Sequence, residues 1–339
     1  MRVLAIDAGA TKVSGALVDK IGKNTFKLNE PAIEIQYKDH PKFNANFSTA
    51  TLEDQYHKLK IEKLEIQQGN AYMDCTIELI KQFTSNTSLK IGIATAGIKD
   101  MNNRGVIIMA NGPRMPEYLN YIESKITQSI YPLESDANMC IWGEEYAESG
   151  SLRNIKNAYY LGGGTGTADG LKLKNKLIPF DQISNWIAKT IELKTSNGES
   201  LEEYTSMSGI NKLINRLTSH DIGKIIGELL FERISTIYSG WDNQYQIDRS
   251  IISTHPYLNV LLDQIIIGQK LSTFLQSKIG HDIYNSIISE LKDQCSIANP
   301  IVKAHFIKNE NFMPKRILLS DLREAPIIGM GAKVWMENC

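Results

Sequence analysis

The chain opens on an apolar run, Val3-Leu4-Ala5-Ile6, followed by a short polar turn and a second apolar stretch, Val13-Ser14-Gly15-Ala16-Leu17-Val18. The two read as paired strands, with Ile33 to Tyr37 as a third, a hairpin-type start. From Lys38 to Asn70 the pattern turns polar and charged and predicts a surface insertion. Within it, Leu52 to Gln67 has helical spacing, with Tyr56, Leu59 and Leu64 available for one apolar face. Ala71, Cys75, Ile77, Leu79, Ile80 and Phe83 predict an amphipathic helix over residues 71 to 83, and Leu89 to Ala94 a strand ending in the small-residue turn Thr95-Ala96-Gly97.

The second half repeats the opening. Tyr118 to Ile130 predicts a helix, Tyr131 to Glu134 an extended segment, and Asp136 opens a helix to about Glu148 with Ser135 or Asp136 as N-cap. Ala158-Tyr159-Tyr160-Leu161 then leads through the glycine-rich Gly162 to Gly170 into Leu171-Lys172-Leu173, with a turn at Lys174-Asn175-Lys176. Two strand–glycine turn–strand units in one chain imply an internally duplicated fold. Beyond them the periodicity is helical over 213 to 236, 270 to 279 and 283 to 294, interrupted by one apolar strand, Gln264 to Ile267, that ends in Gly268. A last helix starts near Ala325.

With 339 residues, 42% of them hydrophobic and 22% charged, the chain has globular composition and length for two lobes. A formal net charge of -1 leaves no broad basic field for nucleic acid, and its lysines are interleaved with acids, as in Lys58-Leu59-Lys60-Ile61-Glu62-Lys63. A small or neutral partner fits this balance better. Cys75, Cys140, Cys295 and Cys339 stand far apart without CxxC spacing, which argues against a zinc ribbon or a disulfide framework and makes a reducing cytoplasm the expected location. The N-terminus runs straight into a strand, and no stretch is long enough to cross a bilayer, so neither export nor a membrane anchor is expected.

The candidate chemistry lies in the two turns. Asp7-Ala8-Gly9-Ala10-Thr11-Lys12 puts a carboxylate at a strand end and then a glycine turn, with the Thr11 hydroxyl and the Lys12 cation offered to phosphate oxygens. A strand followed by a glycine turn without such a role has the same pattern. Two glycine-rich hairpins can clamp a triphosphate through backbone N–H groups, and no GxxxxGK[ST] loop occurs here.

Five segments stand in the order used by the actin-like ATPase fold, and in detail they resemble the ROK (repressor, open reading frame, kinase) family of bacterial sugar kinases. They are Ile6 to Asp19 (first phosphate segment), Glu134 to Glu144 (first connecting segment), Tyr160 to Gly170 (second phosphate segment), Asp263 to Leu271 (adenosine segment) and Ala325 to Lys333 (second connecting helix). The resemblance implies an α/β, two-lobed actin-like ATPase (ribonuclease H-like) fold with a central interdomain cleft, residues 1–113 plus 325–339 forming one lobe and 114–324 the other. Small residues on the connecting helices, Ala137, Gly143 and Ala147 against Gly329, Gly331 and Ala332, would let them cross closely and hinge the lobes.

The resemblance also implies ATP-dependent phosphorylation of a hexose or N-acetylhexosamine. Asp136, which matches the Asp of the family's NDAN segment, would be the general base, its alternative being a helix N-cap. Asp7 would hold Mg2+ through water, and Gly9, Thr11, Lys12, Gly164, Thr165, Gly166 and Gly268 would bind ATP. Asn111, before a Pro turn, and Glu202, in a stretch resembling the family's GCLE segment, would join Asp136 on the sugar; their alternatives are a turn Asn and a solvated helix Glu. Thr95, Gly97 and Asn138 are further candidates of this kind.

The chain departs from the family in three places. Lys194 to Ser200 carries no cysteine where many members have a zinc cluster, so no zinc is expected. Phe180 to Asn185 stands where a GExGH segment supplies a sugar-binding Glu, and Gly268-Gln269-Lys270 where a run of glycines is usual. Two other readings therefore stay open: a sugar-binding or regulatory protein that has lost turnover, and a kinase or ATPase of this fold acting on something other than a sugar. Because the chain starts on the first strand, the family's helix-turn-helix repressors are a poor match; a homodimer stays open.

Overall fold

The computed structural model describes residues 1–57, 60–83 and 89–338. Two compact units emerge, Met1–Gly150 with Glu324–Cys339, and Ser151–Arg323. In the first, β1 (Val3–Ala8) runs into β2 (Lys12–Gly22), followed by β3 (Thr25–Leu28), β4 (Ile33–Gln36), the short α1 (Leu52–Tyr56), α2 (Lys63–Phe83), β5 (Lys90–Thr95), β6 (Ile98–Lys99), β7 (Val106–Ile108), α3 (Tyr118–Glu123), β8 (Glu134–Ser135) and α4 (Asp136–Tyr146). The main sheet has the order β3-β2-β1-β5-β8, with β4 also on β2. β1 is antiparallel to β2 and parallel to β5, and β5 is parallel to β8. Val3 to Ile6 are buried on both faces, which is why this strand reads as a continuous apolar run.

The second unit repeats the plan. β9 (Ala158–Gly163), β10 (Thr167–Leu173) and β11 (Lys176–Ile178) precede α5 (Glu202–Thr205), α6 (Met207–Leu213), α7 (Ser219–Ser239), β12 (Gln264–Gly268), α8 (Gln269–Leu275), α9 (Lys278–Ile297), α10 (Pro300–Phe306), the β13 (Ile307–Lys308) and β14 (Asn311–Phe312) pair, and β15 (Ile317–Leu319). The sheet order is β11-β10-β9-β12-β15, again with an antiparallel hairpin at the first long strand and two parallel neighbours beyond it. The duplication expected from the two hairpins is thus visible in the strand order.

The chain then returns to the first unit as α11 (Ala325–Glu337), which packs on α4. The crossing is close: a Cβ at Gly143 would lie 2.0 Å from the Ala325 carbonyl oxygen, and one at Gly329 2.0 Å from that of Met139. Gly331 faces Val18 of β2 instead of α4. The expected lobe boundary after residue 113 and the observed division differ. Residues 114–150 lie in the first unit because β8 extends its sheet and α4 packs on α11, so both connecting helices belong to one unit.

Several element boundaries also move. The helix expected over 118 to 130 stops at Glu123, that over 213 to 236 is α7 from Ser219, and the break expected between the helices over 270 to 279 and 283 to 294 falls earlier, at Ser277, whose hydroxyl caps α9 by accepting from Gly280 N–H at 3.2 Å. The Leu52–Gln67 helix is α1 and the start of α2. Its expected apolar face is reversed: Tyr56 is 60% and Leu64 38% exposed, while Gln55 and Glu65 are buried. Leu59 lies outside the described residues.

Candidate active site

In the first unit the catalytic candidates sit where buried parallel strands end. Asp7 on β1 is level with Ala94 on β5, which is level with Glu134 on β8, and Asp136 begins α4 two residues later. Asp7 and Asp136 therefore leave the same sheet edge from strands two spacings apart, about 10 Å of backbone. The C-terminal edge of parallel strands is where ligands bind in open α/β sheets. Burial pushes the Asp7 carboxyl up to about 7, the neighbouring Asp136 carboxylate adds to the rise, and the Lys12 ammonium opposes it. The Asp136 carboxylate accepts from the Ala137 N–H at 2.9 Å. Ser135 takes the N-cap position, and Asp136 is the first residue of the helix.

The turn after Asp7 is braced from below. Gly9 N–H donates to the Lys12 carbonyl at 3.1 Å, Tyr37 N–H to the Thr11 carbonyl at 3.1 Å, and the Tyr72 hydroxyl to the Ala10 carbonyl at 2.8 Å. The Tyr72 and Tyr37 rings stack with centroids 3.7 Å apart. Thr11 is exposed at the tip, whereas Lys12 is ion-paired with Glu34 across the sheet, so its charge is already engaged.

In the second unit the glycine hairpin is held by α5 and α6. Gly164 N–H donates to the Gly166 carbonyl at 2.8 Å, Met207 N–H to the Gly164 carbonyl at 2.9 Å, and the Ser208 hydroxyl to the Thr165 carbonyl. Glu202 is half-buried and accepts from Thr167 N–H at 2.9 Å; its burial raises its pKa, which that bond opposes. It is a ligand of the hairpin backbone, not a solvated helix Glu. Below the hairpin, Asp169 is surrounded by donors: Tyr159 hydroxyl at 2.6 Å, Thr190 N–H at 2.8 Å, Thr190 hydroxyl at 2.7 Å and the buried Arg233. Gly268 is level with Gly162, and a Cβ there would lie 2.5 Å from the Tyr160 hydroxyl, so packing alone requires that glycine.

Other glycines are not explained by packing. A Cβ at Gly9 would meet only the Lys12 carbonyl oxygen at 3.6 Å, and one at Gly164 only that of Gly166 at 3.8 Å, and neither residue has a positive φ. The Gly9 turn itself would therefore accommodate a side chain. Both tips keep open space beside backbone and threonine hydroxyls, an arrangement that fits an approaching phosphate. Asp7 beside Asp136 likewise fits a hard divalent cation, whose charge would offset their repulsion.

Within the first unit the structure sets Asp7 within electrostatic reach of Asp136, with Gly9 and Thr11 in the turn that follows Asp7; Thr95 is level with Ser135 on the adjacent strand, and Asn138 lies in the first turn of α4. Asn111 is exposed on the loop between β7 and α3. Gly164, Thr165, Gly166 and Glu202 meet in the second unit. Sequence reasoning missed Tyr37, Tyr72 and Glu34 around the first turn, and Tyr159, Thr190 and Arg233 around Asp169, because each is distant in sequence from the loop it serves.

Solved structures align over the full length of the chain. The inorganic polyphosphate/ATP-glucomannokinase of Arthrobacter sp. strain KM is 12% identical with a TM-score of 0.60, covering 99% of both chains. A ROK family glucokinase from Streptomyces griseus, solved with glucose and AMPPNP, is 13% identical with a TM-score of 0.59, covering 99% of this chain and 100% of that one. The fold is that of the ROK-family sugar kinases. A ROK family transcriptional regulator homologous to the E. coli MLC protein shares it at 11% identity and a TM-score of 0.53, over 98% of this chain and 78% of its own. Neither a protein-family model nor a curated protein sequence matches the chain. The ROK fold therefore rests on shape, and the chemistry on the residues above. No helix among the described residues is long and apolar enough to cross a membrane.

Proposed function

We propose that the chain is an ATP-dependent kinase of a hexose or N-acetylhexosamine. The observation that carries this reading is the Asp7–Asp136 pair at the C-terminal edge of the first sheet, beside a glycine turn whose tip is open. Asp136 accepts the proton of the attacking sugar hydroxyl while the new O–P bond forms and the bond from the γ-phosphorus to the ADP oxygen breaks; the products are the sugar phosphate and ADP, and Asp136 returns the proton to water. Asp7 would be the residue that holds magnesium, and the cation would supply charge neutralisation on the phosphates. Gly9, Thr11, Lys12, Gly164, Thr165 and Gly166 are the phosphate contacts, with Gly268 in the adenosine segment. For Lys12 this role requires leaving Glu34. Asn111 and Glu202 contact sugar hydroxyls.

One observation favours the non-catalytic reading. Gln269 follows Gly268 where the family has glycine, and it adopts a left-handed φ of 62° with its amide nitrogen buried and unpartnered. Both features are costly and alter the adenosine segment.

An ADP-release assay over glucose, mannose and their N-acetylamino counterparts separates the two. Sugar-dependent turnover that falls by a factor of about 10² to 10⁴ in Asp136→Asn supports the kinase. Sugar binding without turnover supports the regulator, and turnover unchanged in Asp136→Asn removes the base assignment.

A further inference from the structure

The stretch from Lys38 to Asn70 reads as a polar surface insertion, yet among its described residues Gln55, Glu65 and Gln68 are buried, and the first two bind one loop, while Gln68 accepts from Asn44 N–H at 2.9 Å. Gln55 on α1 is 3% exposed. Its amide donates to the Met109 carbonyl at 3.0 Å and accepts from the Met109 N–H at 2.8 Å, closing a two-bond pairing of the kind one strand makes with another. The same amide donates to the Ala50 carbonyl at 2.8 Å, which fixes its rotamer. Glu65 at the start of α2 is 5% exposed and accepts from Arg114 N–H at 2.9 Å, from Nε at 2.9 Å and from Nη2 at 2.7 Å. Arg114 is itself 4% exposed. Met109 is thus held through its backbone and Arg114 through its backbone and guanidinium, and Asn111 stands exposed between them.

The stripe continues along α2. Glu65, Gly69, Tyr72 and Thr76 recur at spacings of three to four and share one face. Gly69 packs on Met115 and the Arg114 backbone, Tyr72 donates to Ala10 in the first glycine turn, and Thr76 meets the Tyr118 hydroxyl at 3.0 Å. Glu65 and Tyr72 are seven residues apart, about 10 Å of helix. One rigid element therefore fixes both the turn after Asp7 and the loop carrying Asn111. Directional bonds, added to the apolar burial of Met109 and Met115, define a single pose, and a buried ion pair is retained most credibly for such specificity.

We propose that Gln55 and Glu65 are positioning residues for sugar recognition, which set the Asn111 loop relative to the Asp7 turn. This rests on the kinase reading and on Asn111 as a sugar contact. Neither residue touches the reacting atoms; both act through the pose of residues 109–114.

The test uses the full chain and isothermal calorimetry with glucose, mannose and N-acetylglucosamine, and separately with AMPPNP, on wild type, Gln55→Met, Glu65→Gln and Asn111→Ala. Gln55→Met keeps the side-chain volume and deletes both bonds to Met109, so packing and positioning are separated. The expected result is a sugar dissociation constant raised about 5- to 30-fold in Gln55→Met and Glu65→Gln, with that for AMPPNP within about twofold of wild type. A merely structural role would lower the melting temperature and leave both constants unchanged in the folded fraction. Sugar affinity unchanged in Gln55→Met and in Glu65→Gln, with Asn111→Ala weakened, overturns the positioning role alone. Unchanged affinity in Asn111→Ala overturns the loop as a sugar contact and the inference with it. Wild type that binds none of the three sugars overturns the kinase reading and the inference together.

Discussion

Gly163 and Gly164 are adjacent and carry different constraints. A Cβ on Gly163 would lie 2.4 Å from the Thr205 carbonyl oxygen and 2.5 Å from Leu271 Cβ, inside a packed interior that cannot yield. On Gly164 it would enter open space. Gly163→Ala is expected to cost about 1–3 kcal/mol from overpacking and to lower the melting temperature by several degrees. Gly164→Ala is expected to melt within about two degrees of wild type yet to weaken AMPPNP binding, because the added methyl occupies the space a phosphate would use. Thermal melts and calorimetry on the two variants check both halves. Equal nucleotide affinity in Gly164→Ala and wild type would remove the second hairpin from phosphate binding.

At the scale of elements, Arg249 holds two irregular segments of the second unit together. Its guanidinium donates to both oxygens of Glu192 at 2.7 and 2.9 Å, to the Ile187 carbonyl at 3.2 Å and to the Ser184 carbonyl. Burial alone would raise the Glu192 pKa, but the bonds from Arg249 and the Lys189 N–H outweigh it and hold the carboxyl below its usual 4.5. A depressed carboxylate stabilises the fold fully above its unfolded pKa, and that contribution is lost as pH falls through the folded value. Glu192→Gln is therefore expected to be less stable than wild type at pH 7, with the difference shrinking as pH falls below 4.5 and through the folded carboxyl's titration. A gap that stays unchanged on acidification until both proteins unfold would refute the ion pair as its cause. Such contacts are illegible in sequence, since Glu192 and Arg249 lie 57 positions apart with no periodic relation. The strands β1, β5, β9 and β12 were legible because each is a buried apolar run ending at a small residue. The start of α2 was not: an amphipathic pattern assumes apolar side chains inside, and here Glu65 and Gln68 are buried while Leu64 and Ile66 are exposed. β3 escaped because only Phe26 of its four residues is buried.

At the scale of the whole molecule, the repeated strand order gives each unit its own sheet and its own apolar core. One core gathers Leu4, Ile6, Leu79, Ile91 and Ile93, the other Leu161, Ile226, Leu230, Ile267 and Ile287, and neither cluster includes a residue of the other unit. The two strand–glycine turn–strand units made this duplication legible. The boundary between the units was not, because it depends on β8 joining β5 and on α11 closing back against α4, pairings remote in sequence. Separate cores predict that unfolding is not a single two-state event, so the calorimetric enthalpy should exceed the van't Hoff enthalpy. The α4–α11 crossing supplies the assignment. In Gly143→Ala the new methyl would lie 2.0 Å from a backbone carbonyl oxygen within the first unit, which should lower that unit's transition by several degrees and leave the other in place. A trace that shifts as one peak, with the two enthalpies equal, would mean that the cores melt together despite sharing no side chain, and the cooperativity would then have to come from elsewhere in the chain.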